Sequence, residues 1–290
     1  MPQQIIEYLP VSVVIPTLGY DCLNDTIAHL NSDKIKPYEI LICIPNDLIA
    51  RVQNIEYPNV KIIPTGHYGQ VYQRSVGFKS ACQQFVLQLD DDLIFEISQL
   101  KILIHHLIKL GDKNCIGPQM FDIKINKFRY LEQVGRPKWE SYIIEFLIGG
   151  AKWAASRMGT ISYSGKAYGV DINYMTSENV ETEWLAGGCI LHYKDNLVLD
   201  NFYPFQGKAY SEDLIHSIIL RTKGIKLWIT KSAICKLEVL SNENIQSLDH
   251  VNKYVIKKMN KNLFYFYSSK LYWSFRSKLL IQFKKYLLFK

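Results

Sequence analysis

The sequence lacks several patterns that would assign a protein to a class at once. Its six cysteines are scattered, with no CxxC pair and no zinc-site spacing, so we expect free thiols in a reducing cytoplasm. No stretch reaches about 18 uninterrupted apolar residues, and a membrane-spanning helix is not expected. The first residues carry neither a basic region nor a small-residue cleavage site, so no secretory signal is predicted.

Acidic residues are missing from positions 251–290. This stretch holds ten of the 34 lysines and arginines, none of the 27 acids, and eleven aromatic residues. At helical spacing, one face would carry Tyr272, Phe275, Leu279, Phe283 and Tyr286. A basic helix with an aromatic face is typical of a segment on an anionic membrane surface. Docking of that face on the rest of the protein is the alternative.

What the sequence does contain is a regular alternation of strand and helix patterns. With 290 residues, 48% of them hydrophobic, the chain can bury a substantial core. Alternating elements predict a mostly parallel sheet flanked by helices. Residues 120–179 are predicted to be irregular. Strands are predicted at 11–17, 38–44, 59–65, 84–90 and 182–193, and helices at 21–32, 70–82, 100–110 and 214–222.

Three consecutive aspartates follow one of these strands, in the segment FVLQLDDDLIF at positions 85–95. In an open α/β sheet, ligands bind beyond the carboxyl ends of the strands. Carboxylates clustered there are tolerable when a divalent cation neutralises them, and Mg²⁺ or Mn²⁺ binds well through one or two carboxylates plus substrate phosphates. A solvated acidic loop or a helix N-cap explains the triplet equally well.

Four segments, in order along the chain, resemble the family 2 glycosyltransferases. They are VSVVIPTLGY, GQVYQRSVGFKSACQQFVLQLDDD, EWLAGGCILHY and YSEDLIHSIILRTKG. The resemblance implies a GT-A fold, which is Rossmann-like with a mostly parallel central sheet, over residues 1–240. Residues 241–290 would form a C-terminal helical basic segment. It also implies inverting transfer of a sugar from a nucleotide-sugar donor.

The resemblance further assigns roles to individual residues. Asp213 would be the catalytic base, and Asp90 and Asp92 would hold the metal, with Asp91 between them. On residue types alone, Glu212 and Asp213 are better explained as acids that favour a helix N-terminus, and Trp184 is equally well explained as a core residue beside a bulge. The implied donor-binding residues are Pro16, Thr17, Gln70, Arg74, Asp90 and Asp91, and the implied acceptor-side residues are Trp184, Gly187, Gly188 and Glu212.

Two positions depart from the family's pattern. Ile44 stands where many members have an acid that reads the nucleotide base, and the nearest polar candidates are Asn46 and Asp47. Many members also have a histidine late in the domain that completes the metal shell. The segment SAICKLEV offers Lys236 or Glu238 instead. A UDP-sugar is the favoured donor, and Lys236 could supply cationic charge near the diphosphate.

The resemblance and the basic tail lead to one expectation and two rivals. We expect transfer to a lipid-linked oligosaccharide in bacterial capsule or lipopolysaccharide biosynthesis, by an enzyme peripheral to the cytoplasmic face of the plasma membrane, with no nucleic-acid partner. A nucleotidyltransferase is a rival, although the first loop lacks the glycine-rich GxGxR-like pattern that it predicts. A nucleic-acid-binding module that uses the tail is the other rival.

Overall fold

The computed structural model describes residues 7–131, 139–206, 208–238 and 248–275, and all ten strands of this part lie in one sheet. The order along the sheet is β3-β2-β1-β4-β9-β6-β10-β5, with β7 paired to β6 and β8 to β10. The strands are β1 (Glu7–Pro16), β2 (Ile35–Pro45), β3 (Val60–Thr65), β4 (Phe85–Leu89), β5 (Leu93–Ile94), β6 (Asn114–Asp122), β7 (Lys127–Phe128), β8 (Asn179–Thr182), β9 (Cys189–Tyr193) and β10 (Lys226–Leu237).

The first four strands form the parallel sheet that the sequence predicts. β2, β1 and β4 pair in parallel, and β3 joins β2 in the same sense. Val13 and Ile15 of β1 and Ile42 of β2 are fully buried, as expected for strands covered on both faces. Helices α1 (Cys22–Leu30), α2 (Gln70–Ser80) and α3 (Ile97–Leu110) make the crossovers. The prediction of alternating strands and helices is confirmed here.

The second half of the sheet is mixed in direction. β9 runs antiparallel to both β4 and β6, and β6 pairs in parallel with β10. The strand predicted at 182–193 is shorter than expected: β9 includes only its last five residues, and Glu183–Gly188 lie outside any strand. This non-strand segment carries the two glycines that approach the acidic residues, and α6 (Glu212–Thr222) follows β9 after a loop.

Two histidines are buried together where β9 meets α6. His192 and His216 are 0% and 1% exposed, and their ring centroids lie 5.7 Å apart. His216 stacks on Phe202, and the edge of His192 meets Phe78. Among the described residues, no ring nitrogen of either histidine has a hydrogen-bond partner. Burial lowers the pKa of His192 to about 3 and also lowers the pKa of His216.

Residues 120–179, predicted to be irregular, contain two helices that the sequence pattern did not reveal. They are α4 (Trp139–Gly149) and α5 (Ala151–Ala155). The prediction failed here because α4 has no polar face with helical period: Tyr142, Ile143, Phe146 and Leu147 are all exposed. Periodicity identifies a helix only when one face is apolar and the other polar.

Within residues 248–275, the described part of the C-terminal segment, the chain is mostly helical, as predicted. Helix α7 (Asp249–Lys258) packs on α6, with Val255 in the same buried cluster as Leu214 and Ile218. Residues 264–275 form a further helix, here called the terminal helix. Of the predicted aromatic face, Leu279, Phe283 and Tyr286 lie outside the described residues. Within the described part of the chain, no helix is both long and apolar enough to cross a bilayer.

Candidate active site

A cleft of about 740 Å³ opens at the carboxyl ends of β1 and β4, beside the start of α2. Gln73 of α2 shapes its floor, because its buried amide donates to the carbonyl oxygens of Thr17 and Cys43, at 2.7 Å each. These bonds fix the loop after β1 against the end of β2. The cleft is lined by Pro16, Thr17, Leu18, Tyr20, Tyr68, Gly69, Gln70, Gln73, Asp91, Lys208 and Ala209.

The aspartate triplet turns sharply at the inner end of this cleft. The Asp90 N–H donates to the Gly188 carbonyl oxygen at 2.8 Å, and Thr26 donates to the carbonyl oxygens of Asp91 and Leu93. The Thr17 hydroxyl donates to the Asp91 carboxylate. Burial, with the charges of its two neighbours, raises the pKa of Asp91 to about 6 although Thr17 opposes the shift. Asp92 is exposed at its surface, but partial desolvation of its carboxylate and the charge of Asp90 still raise its pKa.

Arg74 joins this triplet to the second acidic cluster. One guanidinium nitrogen lies 2.7 Å from Asp90 Oδ1, and another lies 2.6 Å from Glu212 Oε1. Gln70 also donates to Asp90 Oδ1, at 2.8 Å. The side chains of Arg74 and Glu212 are 4% and 7% exposed. Buried charges of this kind are tolerable only when they are paired, so each acid depends on the same arginine for neutralisation.

This placement gives Arg74 partners other than those expected from the sequence. The predicted contact with a nucleotide phosphate or base requires a free guanidinium face. Here two of its three nitrogens bind carboxylates, and Arg74 does not line the 740 Å³ cleft. Its two ion pairs instead hold Asp90 and Glu212 at a fixed distance from each other. Gln70 lines the cleft and binds Asp90 as well.

Gly187 and Gly188 lie between the two acidic clusters. A Cβ built on Gly187 would collide with Glu212 Oε1, and one on Gly188 would lie 3.1 Å from Asp90 Oδ2. The Gln88 side-chain amide donates to the Gly187 carbonyl oxygen from β4. Only glycine therefore allows the backbone to approach both acids this closely.

Asp213 is the second residue of α6 and follows Glu212. Ser211, just before the helix, is in the left-handed conformation with a φ of 53°. The Asp213 Oδ1 accepts from the Leu214 N–H at 2.9 Å. Burial, then the charge of Glu212, raises the pKa of Asp213 to about 7, against opposition from Arg129 and Arg74. A carboxylate with a pKa near neutrality suits a general base.

Trp184 occupies the core side of this region. The residue is 8% exposed, its indole N–H donates to the Tyr168 carbonyl oxygen at 2.8 Å, and its ring meets Tyr130 edge-on at 5.8 Å. The indole therefore supports the wall behind Asp213, whose charge also acts on Tyr130. The acceptor platform predicted for Trp184 needs an exposed ring face, which this packing does not provide.

Lys208 is a candidate that the sequence analysis missed. It lies in the loop between β9 and α6, lines the cleft, and its charge opposes the rise in the Asp92 pKa. Lys236, the cation suggested by the departure from the family pattern, instead lies 2.9 Å from Glu96 Oε1. Spacing gave no signal for Lys208, because only the folded loop brings it to the acids.

The end of β2 offers a second missed contact. Ile44 is fully buried, so the position that is often acidic in the family belongs to the core here. Asp47 instead accepts a hydrogen bond from the Tyr68 hydroxyl, and Tyr68 lines the cleft. Asn46 is exposed at the start of a short 3₁₀ helix. Asp47 therefore holds Tyr68 at the wall of the cleft.

The acids fit a divalent cation of the kind that is shared with a substrate. Asp90 Oδ1 is taken by Arg74 and Gln70, while Asp92 is exposed. In the described part of the chain, no group of three or more His, Cys, Asp or Glu side chains could hold a metal alone. One or two carboxylates completed by substrate phosphates is the usual arrangement for Mg²⁺.

Comparisons with known proteins identify the family and the fold. The model of the family described as "Glycosyl transferase family 2" matches residues 12–156. The crystal structure of GalNAc-T7 with UDP, GalNAc and Mn²⁺ superposes with a TM-score of 0.58 and 18% identity, over 88% of this chain and 48% of that one. This chain thus spans about half the length of that structure.

A crystal structure of a mycobacterial protein matches with a TM-score of 0.45 and 14% identity, over 86% of this chain and 73% of that one. A search of curated protein sequences gives no match. At such identities the structural likeness concerns the fold, and the predicted GT-A fold is confirmed. The family match covers half of this chain, which belongs to glycosyl transferase family 2.

Proposed function

We propose that the protein is an inverting enzyme that transfers one sugar from a UDP-sugar to a hydroxyl of a lipid-linked oligosaccharide. The observation that carries this proposal is the Arg74 bridge between Asp90 and Glu212. It ties the acids suited to a diphosphate and cation to the helix end that bears Asp213. An inverting displacement needs these two functions on either side of one sugar.

The donor half of the proposal rests on the cleft. Thr17, Gln70 and Asp91 face a volume of about 740 Å³, a size typical of small-molecule sites. Tyr68, held by Asp47, would contact the base. The GalNAc-T7 structure of the same fold holds UDP and Mn²⁺, which supports a UDP-sugar with Mg²⁺ or Mn²⁺ here.

The reaction follows from the chemistry of these side chains. Asp213 would accept the proton of the acceptor hydroxyl while its oxygen bonds to the anomeric carbon. The bond from that carbon to the diphosphate oxygen breaks with its electron pair, and UDP leaves. Lys208 would attract the negative charge that develops on the diphosphate. Gln70 and Arg74 would hold Asp90 in place throughout.

A divalent cation bound by Asp90 and Asp92 would stabilise charge on the leaving diphosphate. The chain's own contribution is to keep these carboxylates oriented. Arg74 and Gln70 bind one oxygen of Asp90, and Thr26 fixes the backbone of the triplet. Such fixed neighbours are what orients a metal ligand.

The acceptor and the location are supported by the C-terminal segment. Its lysines and aromatic residues suit an anionic membrane surface, where a lipid-linked oligosaccharide resides. The resemblance of the four sequence segments supports bacterial capsule or lipopolysaccharide assembly, at the cytoplasmic face of the plasma membrane. Residues 241–290 would act as the peripheral membrane segment and residues 1–240 as the catalytic domain.

A thermal-shift screen of UDP-, dTDP- and GDP-sugars, with and without Mn²⁺, tests the donor assignment. We expect one UDP-sugar to raise the melting temperature, and more so with Mn²⁺, because a ligand that binds only the native state stabilises it. The stabilising donor is then incubated with lipid-linked oligosaccharide extracts, and released UDP is measured. Stabilisation by GDP-sugars alone would contradict the donor assignment, and UDP release without glycosylated lipid would contradict the acceptor.

A further inference from the structure

Exposed large apolar side chains concentrate on two helices. Four lie on α4 within six residues, and five lie on the terminal helix within twelve. Such density is unusual for a surface that faces only water. The side chains are Tyr142, Ile143, Phe146 and Leu147 on α4, and Phe264, Tyr267, Leu271, Trp273 and Phe275 on the terminal helix.

In both helices the exposed residues follow helical spacing. Ile143 and Leu147 are four apart, as are Tyr142 and Phe146, so they share one face of α4. On the terminal helix the steps from Phe264 are three, four and four residues. The opposite side of each helix is directed into the protein, since Ile148 is 7% exposed and Phe266 is 4% exposed. Each helix is therefore anchored inward and apolar outward.

One residue joins the two helices. The Tyr163 N–H donates to the Gly149 carbonyl oxygen at the end of α4, at 3.0 Å. The Tyr163 ring also meets Tyr265 of the terminal helix, with centroids 5.0 Å apart. Three residues after Tyr163, Lys166 lies 4.5 Å from the centre of the Trp273 ring. Both helices are thus seated on the same short segment, residues 161–168.

The charges around these two helices are basic. Lys257 and Lys258 at the end of α7 are exposed, and Lys261 lies 4.2 Å from the Tyr163 ring centre. The neighbouring acids are engaged by cations: Glu145 of α4 lies 2.8 Å from Arg157, and Asp249 binds Lys270. A second copy of this chain would bring like charges together, whereas an anionic partner would be attracted.

We infer that α4 and the terminal helix together form a lipid-facing surface that docks on an anionic bilayer. This inference deepens the proposed function, on which its membrane location rests. Aromatic and aliphatic side chains of α4 enter the interface, and the lysines of the C-terminal segment attract the headgroups. Two combined signals are what stable peripheral binding requires. Helix α4 supplies the apolar signal from the middle of the sequence, about a hundred residues before the basic tail but beside the terminal helix in space.

Vesicle co-sedimentation of the full chain tests the surface. The variant Ile143→Glu/Phe146→Glu is compared with Ile108→Glu/Tyr174→Glu, which makes the same charge change at residues of similar exposure outside both helices. With vesicles of phosphatidylglycerol and phosphatidylcholine, we expect the α4 variant to lose about tenfold or more in partition coefficient. The control variant should bind within about twofold of the wild type, because only its overall charge is altered.

Hydrogen exchange gives a second readout that needs no substitution. Vesicles should slow exchange in residues 139–149 and 264–275, and leave α3 unchanged. Equal losses for the two variants, or no slowing in α4, would overturn the inference. So would a shift of the α4 variant from dimer to monomer with unchanged vesicle binding, since a second copy would then cover the face. Vesicle binding retained by a chain that no nucleotide-sugar stabilises would keep this surface and reject the proposed function alone.

Discussion

The aspartates after β4 and the acid pair at the start of α6 carry the same functional group, but they differ in exposure and in the partners of their carboxylates. Asp92 is exposed, and Asp90 is shared between Arg74 and Gln70. Glu212 is buried in an ion pair, and the pKa of Asp213 is raised to about 7. The first cluster presents carboxylate oxygens beside cationic side chains, and the second contains a carboxyl group that can exchange a proton near neutrality.

This difference shows how position separates the roles of chemically similar groups. Burial raises the pKa of Asp91 to about 6 and that of Asp213 to about 7, so the two clusters differ in their partners rather than in the direction of the shift. Here Arg74 neutralises one acid of each cluster, and the other acids are left for ligand and proton. Each substitution below alters one side of this division, and the effects are ordered from largest to smallest.

Asp213→Asn should produce the largest effect on rate. An amide has no basic oxygen, so transfer should fall by about a thousandfold or more, in line with the loss of a general base. Donor affinity should remain within about twofold, because the cleft does not include Asp213. Transfer is measured by UDP release and donor affinity by calorimetry, with exposed Asp195→Asn as the control. A parallel loss of donor affinity would contradict its role as base.

Arg74→Ala should affect both acidic clusters at once, because it removes the cation that Asp90 and Glu212 share. Breaking a buried ion pair by deleting one partner costs about 3–5 kcal/mol, so we expect a large drop in the free energy of unfolding. Arg74→Lys should recover part of the stability but little activity, because one ammonium does not reproduce the two directed contacts. Denaturant unfolding is compared with Arg221→Ala, a partly exposed arginine. Equal costs for both would mean that the bridge contributes nothing special.

Asp92→Ala should weaken donor binding only in the presence of the cation. Losing one carboxylate ligand should reduce Mn²⁺-dependent donor affinity by about ten- to a hundredfold. Binding without Mn²⁺ should change little. Calorimetric titrations with and without Mn²⁺ measure the difference, and Asp33→Ala on the exposed surface is the control. Unchanged affinity in Mn²⁺ would remove Asp92 from the proposed metal site.

Lys208→Ala should raise the KM for the donor by about tenfold, which is the size expected for one charge-assisted contact to a phosphate. The melting temperature of the free enzyme should be unchanged, because Lys208 is exposed. Lys236→Ala removes a lysine that is paired with Glu96, and should leave KM unaltered. If both variants behave alike, the loop lysine has no special position at the diphosphate.

The pH dependence of transfer should give the smallest effect near neutrality. Asp213 is surrounded by Glu212, Arg129, Arg74 and Tyr130, and its pKa is raised to about 7. The deprotonated form is the active one, so the rate should rise with pH and reach half its plateau near pH 7. Below that it should fall about tenfold per pH unit. A pH-independent rate between pH 6 and pH 8 would assign the base elsewhere.

The sequence predicted the first four strands of the sheet well and residues 120–179 poorly, for physical reasons. Runs such as residues 11–17 are buried on both faces, and buried strands bounded by turn residues are readable from composition. Helix α4 was missed because its outward residues are apolar. A pattern method assumes that outward residues are polar, and this helix breaks that assumption where we infer a lipid contact.

The candidate site was foreseen in its residues more than in its contacts. The resemblance supplied Asp90, Gly187, Glu212 and Asp213, and the structure brings their segments together around Arg74. That Arg74 would face two carboxylates was not visible from the chain order. Lys208 was also missed, because its position depends on how the loop between β9 and α6 folds back over the cleft.

The neighbouring histidines under α6 make the fold vulnerable to acidification. In the unfolded chain each imidazole gains a proton near pH 6.5, whereas folded His192 stays neutral down to about pH 3. Across that window the unfolded form binds more protons, so each unit of falling pH removes about 1.4 kcal/mol of stability for such a ring. Acid would therefore loosen the contact between β9 and α6, and with it the backbone that separates the two halves of the catalytic centre.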